Sequence, residues 1–261
     1  MSAESPTILH VERAESGVAT LTLDRPKVNA MSPDLIGALQ DAVDQLAADP
    51  DVRAILIKGA NGRYCAGADI EVMSDHTRET YRAMRREVDV EDALERCGKP
   101  VVVAIERWAL GGGAELALAC DVRIMGRGAQ FGFPEVDLGL FPGAGGTQRL
   151  TRLVGVSRAF WLLATGHRLT AEEALADGIA TEVVDDDRVV ERAAEIAEQL
   201  AAGPTVAIGL IKELVYDCWG RPLAAGLDAE GEAVFRVLES DDLREGFAAF
   251  HEKREPRFTG R

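Results

Sequence analysis

Short apolar runs separated by turn signals fill the first part of the chain. Residues 8–12 and 18–23 are two such runs, and the sequence AESG between them predicts a β-hairpin. Ser32 and Pro33 predict the start of a helix, because serine is favoured at the N-cap and proline at the first helical position. Apolar residues follow at helical spacing as far as Asp49-Pro50, which we expect to end that helix.

The middle of the chain continues this alternation. Residues 52–57 predict a buried strand. Residues 59–68, GANGRYCAGA, predict a loop whose small side chains let the backbone approach a ligand closely. Residues 79–97 predict a long amphipathic helix, which the sequence GKP ends. Residues 101–105, VVVAI, then predict a strand that is buried on both faces.

Helical periodicity dominates after Arg149. The predicted helices are residues 150–154, 157–164, 171–177, 187–202, 204–219, 222–238 and 241–253. Thr170 and Glu173 have the spacing of a capping box at the start of one of these helices, and residues 179–184 predict a short strand. A strand-rich first half followed by a helical tail is typical of one α/β domain with a helical appendage.

The composition is that of a folded domain without a membrane span or a metal site. The chain has 261 residues, of which 47% are hydrophobic, and no apolar run is long enough to cross a bilayer. Four cysteines and four histidines are scattered without CxxC or HExxH spacing, so we expect reduced cysteines and no metal. The N-terminal sequence lacks a basic stretch followed by an apolar one, which predicts a cytoplasmic protein.

The charge pattern restricts the partners that we expect. A formal net charge of −15 argues against nucleic acid, because phosphate binding depends on lysine and arginine. An anionic ligand would therefore need local cations. These occur in two small basic groups, Arg25 with Lys27 near the N-terminus and Lys253, Arg254 and Arg257 near the C-terminus.

The most informative stretch is residues 108–150, which carries two glutamates beside glycine-rich bends. Three glycines at 111–113 precede a predicted helix over residues 114–120. A helix start offers unpaired N–H groups and a partial positive charge, both of which suit a developing oxyanion. Glu115 lies in the first turn of that helix within an apolar run, and Glu135 lies in a predicted short loop.

Each glutamate also has an ordinary structural interpretation. A carboxylate in a first helical turn is favourable through the helix dipole, and a loop carboxylate commonly accepts backbone N–H groups. The apolar neighbours of Glu115 argue for more than this, because a buried carboxylate needs a reason. Glu115 and Glu135 lie 20 positions apart, and together they indicate two carboxylates around one water molecule. Such a pair can raise the pKa of one member and separate an acid from a base.

Three common catalytic or nucleotide-binding motifs are not found. The sequence GVSRA at residues 155–159 lacks the last glycine of a GxSxG elbow, which argues against a serine hydrolase. Gln148 takes the place of the last glycine of a GxGxxG motif, and no GK[ST] sequence occurs. Nucleotide binding through these motifs is therefore not supported.

Four features together resemble the signature of the crotonase (enoyl-CoA hydratase/isomerase) superfamily. They are ALGGGAELALACD, the separation of the two glutamates, PGAGGTQRL, and RYCAGADI upstream. The resemblance runs from about Ile8 to Phe258. It implies a crotonase-like ββα spiral core over residues 1–200 and a C-terminal helical region over residues 201–261, through which chains associate into a trimer or a hexamer.

The resemblance also implies the residues of the site. The N–H groups of Ala68 and Gly112 would form an oxyanion hole. Glu115 and Glu135 would be the catalytic carboxylates, with Glu135 as the acid. An acyl-CoA substrate would contact a further set, of which the last two would come from a neighbouring subunit: Lys27, Ala66, Ala68, Asp69, Ile70, Gly112, Phe250 and Lys253. Coenzyme A would be part of the substrate, and no separate cofactor is expected.

The implied activity is reversible addition of water to a 2-trans-enoyl-CoA, giving a 3-hydroxyacyl-CoA, in fatty-acid or related acyl-CoA degradation. Two alternatives stay open. One is an enoyl-CoA isomerase or another crotonase that acts on an unusual acyl-CoA, and the other is a non-catalytic acyl-CoA-binding protein. The presence of both glutamates favours the hydratase. Phe133 stands where hydratases often carry glutamine, which leaves the preferred acyl chain open.

Overall fold

Nine strands occur in the part of the chain that the computed structural model describes, which is residues 7–73, 77, 79 and 89–261. They are β1 Leu9–Arg13, β2 Val18–Leu23, β3 Ala54–Gly59, β4 Val101–Ile105, β5 Trp108–Leu110, β6 Val122–Gly126, β7 Gln130–Gly132, β8 Arg168–Thr170 and β9 Glu182–Val184. Six form one sheet in the order β1-β2-β3-β4-β6-β9, and three form a second sheet in the order β5-β7-β8.

The large sheet is parallel except for its first strand. The strands β1 and β2 pair antiparallel as the predicted hairpin, with Leu9 opposite Leu23. The pairs from β2 to β9 are all parallel. Parallel neighbours need crossover connections, and helices supply them.

Eleven α-helices occur in the same described part. They are α1 Pro33–Ala48, α2 Ile70–Met73, α3 Val90–Arg96, α4 Gly112–Leu118, α5 Gly146–Val154, α6 Val156–Thr165, α7 Ala171–Ala176, α8 Val189–Ala202, α9 Thr205–Asp217, α10 Leu223–Leu238 and α11 Asp241–Glu252. The predicted caps are confirmed. The Ser32 side chain accepts the N–H of Leu35, and Thr170 and Glu173 form a complete capping box.

Helices cover both faces of the large sheet. On β3, Ile55 and Ile57 join the apolar cluster that contains the buried face of α1. Ala54 and Leu56 point the other way and pack with Ala193, Ala197 and Ala201 of α8. Successive side chains of a strand alternate between faces, so an apolar run such as AILI serves two cores at once.

The small sheet sets the position of the two glutamate-bearing segments. The strands β5 and β7 pair in parallel, with Leu110 opposite Gly132. The helix α4 follows β5 after one residue, and a 3₁₀-helix over Pro134–Leu138 follows β7 after one residue. Parallel strands have their carboxyl ends at the same edge of a sheet, so the two glutamate-bearing segments both begin at that edge of the small sheet.

The α/β class is confirmed, but several details of the prediction are wrong. Glu135 lies in the 3₁₀-helix and not in an irregular loop. The helix predicted over residues 114–120 begins at Gly112 and ends at Leu118, because the chain turns at Gly111, where φ is 51°, and helical geometry starts at the next residue. The short strands β5, β6, β7 and β8 were not predicted. Of the helix predicted over residues 79–97, residues 80–88 lie outside the described part, and α3 accounts for 90–96.

The helical tail leaves large apolar side chains exposed. On α10 and α11 the most exposed are Leu223, Leu227, Phe235, Phe247 and Phe250. No helix of the described residues has the length and apolar character needed to cross a membrane. The boundary at residue 200 between core and tail stays a prediction.

Candidate active site

The turn between β5 and α4 brings the two predicted oxyanion donors together. Gly111 has a φ of 51°, which glycine tolerates, and α4 begins at the next residue. The amide of Gly112 therefore has no partner within the helix. The Ala68 nitrogen lies 3.6 Å from the position that a Cβ at Gly112 would occupy. The structure thus places Ala68 and Gly112 side by side, and both are partly open to solvent.

Close packing behind this turn explains a third glycine. A Cβ at Gly113 would lie 2.6 Å from the carbonyl oxygen of Cys65 and 2.8 Å from its Sγ. Leu110 donates its N–H to the same carbonyl at 3.1 Å. The loop that carries Ala68 is therefore held against β5 and the start of α4, and only glycine fits at the point of contact.

Glu115 is buried, with 4% of its surface exposed. Its Oε1 accepts the N–H groups of Ala144 at 2.7 Å and Gly146 at 2.8 Å. A Cβ at Gly146 would lie 3.0 Å from this oxygen, so the glycine keeps the approach open. Hydrogen bonds donated to a carboxylate favour its ionised form. The two donors also fix the direction of this carboxylate.

Glu135 is half-buried and differently placed. Its Oε2 is buried and has no hydrogen-bond partner among the described residues. Burial raises the pKa of Glu135 to about 7, its own backbone N–H lowers it, and the nearby charge of Glu115 raises it further. A carboxyl group with these surroundings holds a proton near neutral pH.

The segments that precede the two glutamates are joined at the Gly111 turn. Gly111 donates its N–H to the carbonyl of Gly132 at 2.9 Å, which joins the segments that precede the two glutamates. A Cβ at Gly111 would lie 3.0 Å from Oε1 of Glu135. The Glu135 carboxyl therefore reaches the turn that Gly112 opens. The turn at Gly111 therefore has the Glu135 carboxyl and the Ala68 and Gly112 amides beside it, and Glu115 lies in the first turn of the helix that follows.

Two features near the site were not predicted. The Ala144 and Gly146 amides donate to Glu115. The sequence PGAGG was identified only as part of a family motif. Its glycines at the start of a helix were the signal that could have indicated backbone N–H donors. Glu91 on α3 is buried, and burial raises its pKa to about 7, with Glu115 contributing. The amphipathic pattern of the predicted helix did not distinguish Glu91 from the solvent-facing carboxylates around it. Phe133, by contrast, was singled out in the sequence; its ring is buried and lies 3.0 Å from the position of a Cβ at Gly146.

The segment that carries Lys27 lies beside the loop that carries the predicted CoA-binding residues 66–70. Ala66 donates its N–H to the carbonyl of Val28 at 3.1 Å, which places the segment after Lys27 beside the loop that leads to Ala68. Lys27 is exposed and has a φ of 75°. Ile70 is 58% exposed at the start of α2.

The two basic groups are less available than their sequence indicates. Arg25 forms an ion pair with Asp69, which also accepts the N–H of Glu71 at 3.2 Å. Arg254 pairs with Glu245 at 2.6 Å and is also bound by a second carboxylate. The prediction that these two arginines hold phosphates is weakened, because their charges are already compensated within the chain.

Phe250 and Lys253 lie at the end of α11. Phe250 is 80% exposed, and Lys253 is exposed and caps the helix with a φ of 55°. No hydrogen bond or ion pair between described residues joins either one to Ala68, Gly112 or the glutamates. Within one chain the structure does not bring this pair to the rest of the site.

A metal centre is not found in the described residues, where no group of three or more His, Cys, Asp or Glu side chains has a suitable arrangement.

Comparison with known proteins gives one consistent result. A family model described as Enoyl-CoA hydratase/isomerase matches residues 13–261. The chain is 39% identical to a probable mitochondrial enoyl-CoA hydratase 2 of Arabidopsis thaliana, over 95% of this chain and 83% of that protein. It is 35% identical to a probable enoyl-CoA hydratase of Bacillus subtilis, over 93% and 95% of the two chains. A crystal structure of enoyl-CoA hydratase from Bacillus anthracis matches with a TM-score of 0.92 and 37% identity, over 98% of this chain and 100% of that one. The chain therefore belongs to the enoyl-CoA hydratase/isomerase family.

Proposed function

We propose that the protein is an enoyl-CoA hydratase, which adds water reversibly across the C2–C3 double bond of a 2-trans-enoyl-CoA. The observation that carries this proposal is the different environment of two carboxyl groups beside one pair of amides. Glu115 accepts two N–H groups, whereas Glu135 has an unpartnered buried oxygen among the described residues and a pKa raised to about 7. The hydratase names of the relatives support the same reaction.

The two amides act on the thioester. Its carbonyl oxygen accepts the N–H groups of Ala68 and Gly112, and these bonds strengthen as negative charge develops on that oxygen. Fixed donors of this kind are effective because they need no reorganisation during the reaction, and each contributes about 10²–10³ in rate.

The two carboxyl groups move the protons. The Glu115 carboxylate takes a proton from water while the water oxygen bonds to C3. The electron pair of the double bond passes to the thioester as an enolate, and Glu135 delivers its proton to C2. Each such transfer contributes about 10²–10⁴ in rate. Proton exchange with solvent then restores the starting states of Glu115 and Glu135.

Glu115→Gln and Glu135→Gln test this assignment. We expect each to lower the rate of crotonyl-CoA hydration by at least about 10², measured as loss of the absorbance of the conjugated thioester. Binding of a CoA ester should survive in both. Asp137→Asn is the matched control, because Asp137 is exposed in the same 3₁₀-helix, and it should retain activity.

Two other results would contradict the hydratase. Conversion of a 3-enoyl-CoA without hydration of crotonyl-CoA would identify an isomerase. Tight CoA-ester binding without turnover of either substrate would identify a binding protein.

We also propose that the protein assembles as a trimer or a dimer of trimers through its helical tail. The exposed apolar side chains of α10 and α11 support this, because patches of this kind mark association surfaces. In the assembly, Phe250 and Lys253 would reach the CoA part of a substrate in a neighbouring subunit, while Lys27 and residues 66–70 hold it within the same chain. The cytoplasmic location stays a prediction from the sequence.

A further inference from the structure

Arg149 links two helices next to the turn that binds Glu115. It lies on α5, and its guanidinium binds the Glu95 carboxylate of α3 through two hydrogen bonds, Nε to Oε1 at 2.6 Å and Nη2 to Oε2 at 3.0 Å. Both side chains are mostly buried, with 16% and 20% exposed. A two-pronged pair of this kind fixes direction as well as distance.

The third contact of this guanidinium is with the turn that binds Glu115. Arg149 Nη1 donates to the carbonyl oxygen of Ala144 at 3.0 Å. That carbonyl belongs to the peptide between Ala144 and Gly145. The peptides on either side of it supply the two N–H groups that bind Oε1 of Glu115, those of Ala144 and Gly146. Arg149 therefore holds the central peptide of the three.

The turn is shaped to admit this guanidinium. Gly145 has a φ of 104°, and a Cβ there would lie 1.9 Å from Nη1 of Arg149. The backbone conformation thus favours glycine, and a Cβ at this position would displace the guanidinium.

We propose that Arg149, oriented by Glu95, is a positioning residue for Glu115. It fixes the 144–146 turn so that two N–H groups point at one carboxylate oxygen, which keeps Glu115 ionised and aimed. This inference rests on the proposed function for its kinetic consequence, but not for its structural one.

Other charges face the same region and could act through space alone. Glu91, Glu95 and Asp89 face Arg149 from α3 and its N-cap, and Glu135 faces Glu115 from the 3₁₀-helix. A pure charge effect has a sign that distinguishes it. Removal of the Arg149 cation and removal of the Glu95 anion would then shift protonation of Glu115 in opposite directions. Loss of positioning would shift the protonation of Glu115 in the same direction in both variants, because removal of either Arg149 or Glu95 releases the 144–146 turn.

The experiment compares Arg149→Met and Glu95→Gln with the unaltered protein in crotonyl-CoA hydration. We expect kcat to fall about tenfold to a hundredfold in both, with KM little changed, because a small misplacement of a catalytic group has effects of this size. The acidic limb of the kcat/KM profile should move to higher pH in both, since Glu115 loses donors that favour its charged form.

Arg158→Met is the matched control. Arg158 on α6 forms a half-buried pair with Asp177 at 2.8 Å, and no hydrogen bond or ion pair between described residues joins it to residues 144–146. It should lower the melting temperature as Arg149→Met does, without moving the pH profile. If Arg149→Met does not fold, Arg149→Lys serves instead. A lysine keeps the charge but presents a single ammonium, so kcat should still fall.

A measurement without substrate separates this inference from the proposed function. The Glu115 carboxyl is titrated by ¹³C NMR in glutamate-labelled protein, with its signal assigned through Glu115→Gln. Titration at higher pH in both Arg149→Met and Glu95→Gln supports the inference, even if the protein has no hydratase activity. Unchanged titration, or shifts of opposite sign in the two variants, would overturn it.

Discussion

At the scale of single residues, two identical side chains differ because of what surrounds them. Glu115 is the more deeply buried, yet it accepts two N–H groups that favour its charge. Glu135 is less buried, but one of its oxygens has no partner among the described residues. The two carboxyl groups therefore differ in hydrogen bonding as well as in depth.

The raised pKa of Glu135 predicts how activity depends on pH. Glu135 must hold a proton before it can donate one, and burial raises its pKa to about 7. We therefore expect kcat/KM for hydration to fall as pH rises above about 7, because the deprotonated form becomes dominant in the free enzyme. The measurement is a kcat/KM profile with crotonyl-CoA from pH 5 to 10. A flat profile through pH 9 would contradict the acid role of Glu135.

Glu91 predicts a stability that depends on pH. Burial raises its pKa from about 4.5 in the unfolded chain to about 7 in the folded one. The unfolded state loses its proton first, so the folded state loses stability as pH rises through this window. Glu91→Gln removes the penalty and should raise the unfolding free energy by up to about 3 kcal/mol at pH 8.

Chemical denaturation at two pH values measures this effect of Glu91→Gln. The gain should be much smaller at pH 5, where Glu91 is protonated in the folded protein and partly protonated in the unfolded one. An equal gain at both values would mean that the side chain acts through packing and not through its charge.

At the scale of elements, the start of α4 depends on Gly113, where there is no space for a larger side chain. A Cβ at Gly113 would lie 2.6 Å from the Cys65 carbonyl oxygen, which is backbone and cannot rotate away. Gly113→Ala should therefore shift the Ala68 loop, lower hydration activity and destabilise the protein by about 1–3 kcal/mol. Activity assays and denaturant unfolding measure both effects.

A second helical glycine provides the control for Gly113→Ala. Gly37 on α1 has no atom near its Cβ position. Gly37→Ala should stabilise the protein by about 0.5–1 kcal/mol, because alanine is the better helix former, and should leave activity unchanged. If both alanine variants behave alike, the contact with Cys65 is not what requires glycine.

Some elements were predictable from the sequence and others were not. The helix α1 and the capping box at Thr170 follow local rules of spacing and capping, and both were predicted. The strands β5 and β7 have only three residues each, too few for a periodic signal, yet they align the two glutamates. Motifs identified Glu115 and Glu135. The resemblance assigned the acid role to Glu135, but the physical cause of the difference between the two could not be predicted, because it depends on contacts with residues that are distant in sequence.

At the scale of the whole molecule, a single folded chain does not bring together every residue that the resemblance assigns to the site. Phe250 and Lys253 are exposed at the end of α11, and no hydrogen bond or ion pair between described residues joins them to Ala68, Gly112 or the glutamates. If they serve a neighbouring subunit, each complete site has Glu115 from one chain and Lys253 from another. Mixed oligomers can test this arrangement.

We therefore predict complementation between two defective variants. Glu115→Gln lacks the catalytic base, and Phe250→Ala with Lys253→Ala lacks the contributed pair. When the two proteins are refolded together, some sites will combine an intact Glu115 with an intact pair from the neighbour. Hydration activity should then exceed the mean of the separately refolded proteins.

Glu115→Gln mixed with Glu135→Gln is the control and should gain nothing, since both residues belong to the same chain's site. Absence of a gain in the first mixture, with mixed oligomers demonstrated by two affinity tags, would place Phe250 and Lys253 outside the neighbouring site.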